Sequence, residues 1–125
     1  MTLVEEHFEG LAAQAPQTTF VKVADGSHLI TIPNVELPAG WNAKTTTVRF
    51  VAPVGYPSSR PDCFWADSGL RLAGGNAPTN TGQSQPPDGS DPQLWFSWHV
   101  QKWCPNSDTL LTYFRVILNR FMELK

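Results

Sequence analysis

Cysteine is scarce in this sequence of 125 residues, which contains only Cys63 and Cys104. Small domains that depend on disulfides carry several more, so a disulfide scaffold is excluded and a reducing, cytoplasmic location is expected. Charged residues are also few, at 16% of the chain, and the nine Lys and Arg residues form no basic run. We therefore expect neither nucleic acid nor an anionic membrane as a partner.

Long apolar runs are missing as well. No stretch approaches the roughly 20 residues that cross a bilayer. The segment Met1–His7 has no positive charge before an apolar core, so a signal peptide is not expected either. Proline, glycine and large aromatics are abundant instead, with eleven Pro, nine Gly, five Trp and seven Phe. This composition indicates one globular domain over residues 1–125 with many irregular connections.

The periodicity of the apolar residues predicts an α+β domain. A short amphipathic helix is expected over residues 1–14, before Pro16. The dipeptide Asp25-Gly26 separates two β-rich runs, which is a hairpin signal because Gly accepts the positive φ of a tight turn. The predicted strands are Phe20–Val23, His28–Ile32, Thr45–Val51 and Cys63–Trp65.

The second half of the chain contains a long loop and then a helix. Nine of the 28 residues in the segment 66–93 are Gly or Pro, and a loop of this length in a compact domain is usually functional or disordered. A C-terminal helix is predicted over 107–124, capped by Asn106 or Ser107, with Asp108 at the positive end of its dipole. Its apolar stripe consists of Leu110, Phe114, Ile117, Phe121 and Leu124.

Local motifs, in this order of elements, resemble the ubiquitin-conjugating (UBC) fold. The first runs from Tyr56-Pro57 to the aromatic strand Pro61-Asp62-Cys63-Phe64-Trp65. The second, Trp103-Cys104-Pro105, is similar to the Trp-x-Pro segment that opens the helix after the active site in that family. With Ser97-Trp98-His99 added, the set resembles a prokaryotic branch whose members are found with a ubiquitin-like protein and an activating enzyme. The resemblance covers roughly Val23 to the C-terminus.

The resemblance implies both a fold and a function. The implied fold is α+β and UBC-like, with an N-terminal helix, an antiparallel meander of about four strands, a long active-site loop and a C-terminal helix. The resemblance also implies that the protein accepts a ubiquitin-like protein from an activating enzyme through a covalent acyl intermediate and passes it to a target amine. No cofactor is implied, because the activating partner consumes the ATP.

The sequence departs from the family pattern at two positions. The family's nucleophilic cysteine lies eight residues before the Trp of Trp-x-Pro, and that position here is Trp95. The family's His-Pro-Asn triplet is replaced, on gapless counting, by Arg71-Leu72-Ala73. We expect amides of the loop Ala73–Thr81, together with Asn76, to supply the oxyanion donors instead.

Ser97 and His99 are the predicted nucleophile and general base. In an extended segment, residues two apart point to the same side, whereas in a helical turn they diverge. Ser97 would then carry an oxyester. Cys104 is the substitute nucleophile, because amide dipoles at the entry to a helix lower the pKa of a thiol. The structural alternatives are local backbone hydrogen bonds for Ser97 and His99, and burial for Cys104.

Other chemistry-bearing residues are expected to be structural. Cys63 falls in the predicted fourth strand, where core residues are expected. The three histidines and two cysteines show no close paired spacing, so no metal site is predicted. The aromatic residues expected to lock the last helix to the sheet, with a docking surface as the alternative, are Trp95, Phe96, Trp98 and Trp103.

Two further functional classes stay open. The missing cysteine and the missing triplet are compatible with a catalytically silent UBC-fold module that binds a ubiquitin-like protein or an activating enzyme. A small-molecule hydrolase using Ser and His is less favoured, because the sequence has no Gly-x-Ser-x-Gly elbow. The predicted partners are a ubiquitin-like protein and a ubiquitin-activating-type enzyme.

Overall fold

A computed structural model of the chain, which describes residues 2–125, contains two helices and one six-stranded sheet whose paired strands are all antiparallel. The elements are α1 (Leu3–Gln14), β1 (Thr19–Lys22), β2 (His28–Glu36), β3 (Thr45–Ala52), β4 (Phe64–Ala66), β5 (Thr81–Ser84), β6 (Gln93–Phe96) and α2 (Leu110–Phe121). The spatial order is β1-β2-β3-β4-β6-β5. The α+β class and the two terminal helices are confirmed. The expected number of strands is wrong, because there are six.

The N-terminal half follows its local signals. Thr2 caps α1 in a capping box, accepting from the Glu5 amide while the Glu5 carboxylate accepts from the Thr2 amide. The predicted hairpin joins β1 to β2, and Gly26 takes a φ of 92° in its turn. Ser27 closes this turn by donating its amide and its hydroxyl to the Asp25 carboxylate.

A cluster of three aromatic side chains holds the centre of the sheet against α2. Phe64 on β4 and Phe96 on β6 are directly paired in register and stack at a centroid distance of 4.5 Å. Phe121 at the end of α2 meets both rings edge-on, at 5.6 Å and 5.8 Å. All three are almost completely buried. This cluster fixes the pairing of β4 with β6, two strands that are separated in sequence by β5.

The C-terminal helix is shorter than its sequence pattern predicts. It begins at Leu110 because residues 104–107 form a separate turn, which Asp108 closes by accepting from the Cys104 amide at 2.7 Å. The expected caps Asn106 and Ser107 therefore lie outside the helix, and Thr109 is its N-cap. Leu124 lies past the helix end, half exposed and packed over Gly40 instead of joining the buried stripe.

The segment 66–93 is not one continuous loop. Residues Thr81–Ser84 form β5, which pairs with β6 along its full length to make the edge of the sheet. Of the four residue types in β5 only Thr favours strands, so the extended conformation depends largely on the backbone hydrogen bonds to β6. Within residues 2–125, no helix has the length and apolar character of a membrane span.

Candidate active site

The pairing of β4 with β6 brings two short segments together beyond the strand ends. Phe64 pairs with Phe96, and one step further the Cys63 amide donates to the Trp98 carbonyl at 3.0 Å. Asp62 and Cys63, which precede β4, therefore lie beside Ser97 and His99, which follow β6. Residues that are more than thirty positions apart in the chain share one site as a result.

His99 and Asp62 form a hydrogen-bonded pair at the surface. The His99 Nδ1 and an Asp62 carboxylate oxygen are 2.5 Å apart. A carboxylate can only accept, so Nδ1 carries the hydrogen, and in the neutral imidazole Nε2 is left as the basic nitrogen. Both side chains are about half exposed, at 54% and 53%. The pair thus presents an oriented proton acceptor to an incoming molecule.

The thiol of Cys63 lies next to this pair. Its sulfur, a ring nitrogen of His99 and a carboxylate oxygen of Asp62 are all within 4.8 Å of one another. The backbone at Cys63 is left-handed, with φ of 60°, so β4 begins only at Phe64 and the side chain is half-buried at the rim. The expectation that Cys63 is a core residue of the fourth strand is wrong for this reason.

The protonation of Cys63 depends on opposing neighbours. Burial raises the pKa of the thiol most, and the charge of Asp62 adds to the increase. Hydrogen bonds from the Trp98 backbone and the Ser97 side chain lower the pKa in part. The thiol is therefore protonated at neutral pH, and a base is needed when it acts as a nucleophile.

Two further contacts hold the backbone of the site in place. The Trp98 carbonyl accepts a hydrogen bond from the Cys63 amide. It also accepts one, at 3.0 Å, from the hydroxyl of Tyr113 on α2. Burial raises the pKa of Tyr113, so its hydroxyl keeps the proton it donates. On the other side, the Ser97 amide donates to the Asn80 carbonyl at 2.8 Å. The site is thus held by α2 and by the residue before β5, as well as by the segments next to β4 and β6.

The raised pKa of Cys63 gives a testable pH dependence. In a Cys104→Ala variant, we expect iodoacetamide to alkylate Cys63 with a rate that increases at a higher pH than for a free cysteine, whose pKa is about 8.5. The Asp62 charge is one of the causes that raise the pKa of Cys63. Its removal in Asp62→Asn should therefore move the midpoint of the alkylation profile to lower pH. Rates are followed by mass spectrometry, with Cys63→Ser as the blank. A midpoint at or below that of free cysteine would contradict the assignment of burial as the main cause.

Comparison with known proteins adds a family to this geometry. Residues 11–123 match the family described as prokaryotic E2 family E. The chain belongs to this family. The match confirms the resemblance to the ubiquitin-conjugating (E2) proteins, and it gives the chain an E2-like role in conjugation, with a ubiquitin-like protein and an activating enzyme as general partners. No curated protein and no solved structure matches the chain.

In this E2-family chain, neither the position of the usual E2 cysteine nor Cys104 lies beside Asp62, Cys63 and His99. Trp95, at the position of the usual E2 cysteine, is in the middle of β6, paired with Trp65 and Gly82. Cys104 is exposed in the turn before α2, where its amide bonds to Asp108. Within residues 2–125, the thiol that the fold groups with an imidazole and a carboxylate is that of Cys63.

The fold brings Ser97 and His99 to the same site but does not pair them directly. The segment 97–100 has no helical turn, which removes the alternative in which the two side chains diverge around a helix. Among residues 2–125, however, no hydrogen bond joins the Ser97 hydroxyl to His99. The imidazole bonds to Asp62, and the Ser97 side chain lowers the pKa of the Cys63 thiol. Sequence reasoning did not single out Asp62 and assigned Cys63 to the core, although two reactive side chains side by side before a strand were a usable signal.

Three backbone amides of the loop expected to supply oxyanion donors are already used in other hydrogen bonds. The amides of Ala73, Gly75 and Thr79 donate to other backbone carbonyls, those of Gly40, Leu72 and Lys125. Asn76 uses its own carbonyl to accept from Leu72. The loop touches the site through Asn80 instead, which has a left-handed φ of 62° and accepts from Ser97.

Proposed function

We propose that this protein is an E2-type carrier in which Cys63 accepts the C-terminal acyl group of a ubiquitin-like protein, His99 acts as general base, and Asp62 orients His99. The observation that carries the proposal is the grouping of the three reactive atoms within 4.8 Å. Membership of the prokaryotic E2 family supports the reaction class, and it disfavours a silent binding module.

The proposed reaction proceeds in two transfers. The His99 imidazole removes the thiol proton of Cys63, and the sulfur attacks the carbonyl carbon of the activated C-terminus. The bond between that carbon and its activating group breaks, and the proton returns through the imidazolium to the leaving group. A target amine then attacks the thioester, an amide bond forms, and the Cys63 thiol is released. Atoms and protons balance without a cofactor.

Electrostatics favour Cys63 over Ser97 as the acceptor. A thiol is a far better nucleophile than a neutral hydroxyl, and a thiol with a raised pKa still loses its proton to imidazole more readily than serine does. The Ser97 side chain and the Trp98 backbone both lower the pKa of Cys63 in part, which favours the thiolate as it forms. We therefore assign Ser97 a supporting role and leave Cys104 outside the reaction.

The proposal is tested by formation of a covalent adduct. The protein is incubated with its activating enzyme, ATP and the ubiquitin-like protein, and the products are separated with and without reducing thiol. We expect an adduct that reducing thiol cleaves, that is absent in Cys63→Ala, and that forms at an unchanged level in Cys104→Ala. The second variant is the matched control, since it removes the chain's other thiol.

The remaining outcomes would contradict Cys63 as the acceptor. An adduct that resists reducing thiol but yields to hydroxylamine, and that is lost in Ser97→Ala, would identify an oxyester on Ser97. Loss in Cys104→Ala alone would move the reaction to the turn before α2. Absence of any adduct from a protein that binds its activating enzyme would overturn the carrier function.

A further inference from the structure

We propose that Asp62, Cys63 and His99 also form a binding site for a single Zn²⁺ ion, which caps the thiol. Thiolate sulfur, imidazole nitrogen and carboxylate oxygen are the three ligand types that zinc takes from proteins. Sequence spacing predicts no metal site, because two of these residues reach the third only through the pairing of β4 with β6.

The dimensions of the group suit a zinc ion after small side-chain movements. Tetrahedral bonds of 2.0–2.3 Å place ligand atoms about 3.3–3.8 Å apart. The three ligand atoms here lie within 4.8 Å, and the closest pair, on Asp62 and His99, is at 2.5 Å. Shifts of about 1 Å in two half-exposed side chains therefore reach the required geometry. Zinc would replace the proton that Asp62 and His99 share.

The backbone turns both adjacent ligands towards His99. Neighbouring side chains of an extended strand point to opposite faces, which would separate Asp62 from Cys63. At Cys63, however, the backbone is left-handed and leaves the extended conformation, and both side chains face the same imidazole. A non-glycine residue held in this conformation is uncommon and is stabilised here by the bond from its amide to Trp98.

The surroundings of the sulfur also suit metal thiolate. The hydrogen bond from the Cys63 amide to the Trp98 carbonyl, at 3.0 Å, holds the backbone that carries the sulfur, as outer contacts of a metal ligand do. The exposed sides of Asp62 and His99 leave a route for the ion and room for water as the fourth ligand. Three protein ligands and one open position are the arrangement of an exchangeable zinc site rather than a closed structural one.

The binding test needs the purified full chain alone. Metal-free protein is titrated with Zn²⁺ in competition with a chromophoric chelator, and with Co²⁺ to detect the thiolate-to-cobalt charge-transfer band. We expect one ion per chain, affinity at least about tenfold weaker in Cys63→Ser, His99→Ala and Asp62→Asn, and no charge-transfer band in Cys63→Ser. Cys104→Ser is the matched control and keeps both the affinity and the band.

Circular dichroism establishes that each variant is folded, so that loss of binding reports on the ligands. The proposed site would be overturned if Cys63→Ser bound Zn²⁺ as tightly as the unsubstituted protein, or if Cys104→Ser lost the charge-transfer band. It would also be overturned if the unsubstituted protein did not bind stoichiometric Zn²⁺. A second measurement rests on the proposed function: Zn²⁺ at one equivalent suppresses the thioester, and a chelator restores it. If the titration succeeds while no adduct ever forms, the metal site stands and the carrier function fails.

Discussion

Replacement of His99 by Ala is expected to lower the rate of thioester formation by about 10²–10⁴-fold, the usual contribution of a positioned general base. The effect should be large because burial keeps the Cys63 thiol protonated, so little thiolate forms without the imidazole. Asp62→Asn should have a smaller effect in the same direction, since the amide cannot hold Nδ1–H as a carboxylate does. Single-turnover rates with the charged activating enzyme measure both changes.

The His99 prediction has a control on the same surface. Lys102 is exposed and lies three residues further along the same segment, so Lys102→Ala should leave the rate within about twofold. The rate of His99→Ala should also recover at high pH, where the thiol ionises without help. A rate that stays low across the whole pH range, in a folded variant, would indicate that His99 has a structural rather than a catalytic role.

Arg120 is expected to be the most important single side chain for stability. It is completely buried, and its guanidinium lies over the rings of Phe96 and Trp98, at 5.2 Å and 5.1 Å from their centroids. Arg120→Ala should lower the free energy of unfolding by about 3 kcal/mol or more, because it leaves a cavity and unpaired carbonyls. The three backbone carbonyls that accept from Arg120 are those of Thr79, Glu123 and Lys125.

The same helix provides the control for Arg120. Arg115 is exposed, and Arg115→Ala should change the free energy of unfolding by no more than about 0.5 kcal/mol. In thermal denaturation, Arg120→Ala should lower Tm by roughly 10 °C relative to Arg115→Ala. Because Thr79 precedes Asn80, which accepts from Ser97, the variant should also slow thioester formation. Equal Tm values for the two variants would contradict the assigned role of Arg120.

The parts of the fold that sequence predicts well are those with local signals. The β1–β2 hairpin follows from Asp25-Gly26, and the face of α2 follows from the spacing of Leu110, Ile117 and Phe121. β5 has no such signal, because its extended conformation is created by β6 rather than by its own residues. The predicted start of α2 is wrong, because Asp108 closes the preceding turn at Cys104 and the helix begins only at Leu110.

The residues of the site also fall into those that local sequence signals identify and those that they do not. Ser97 and His99 were identifiable from an aromatic motif and a family resemblance, both carried by neighbouring residues. Their partners Asp62 and Cys63 lie just before β4, on the other side of β5 in sequence, and the pairing and stacking of Phe64 with Phe96 brings them there. No periodicity encodes a contact of this kind. The nucleophile that we propose was for that reason the cysteine that sequence reasoning placed in the core.

The most direct test of the central claim is to locate the acyl group on the protein. The adduct formed with activating enzyme, ATP and the ubiquitin-like protein is digested under acidic conditions that preserve thioesters, and the modified peptide is sequenced by mass spectrometry. The account predicts that the C-terminal remnant of the ubiquitin-like protein is on the Cys63 sulfur. A remnant on Ser97 or Cys104, with Cys63 unmodified, would contradict it.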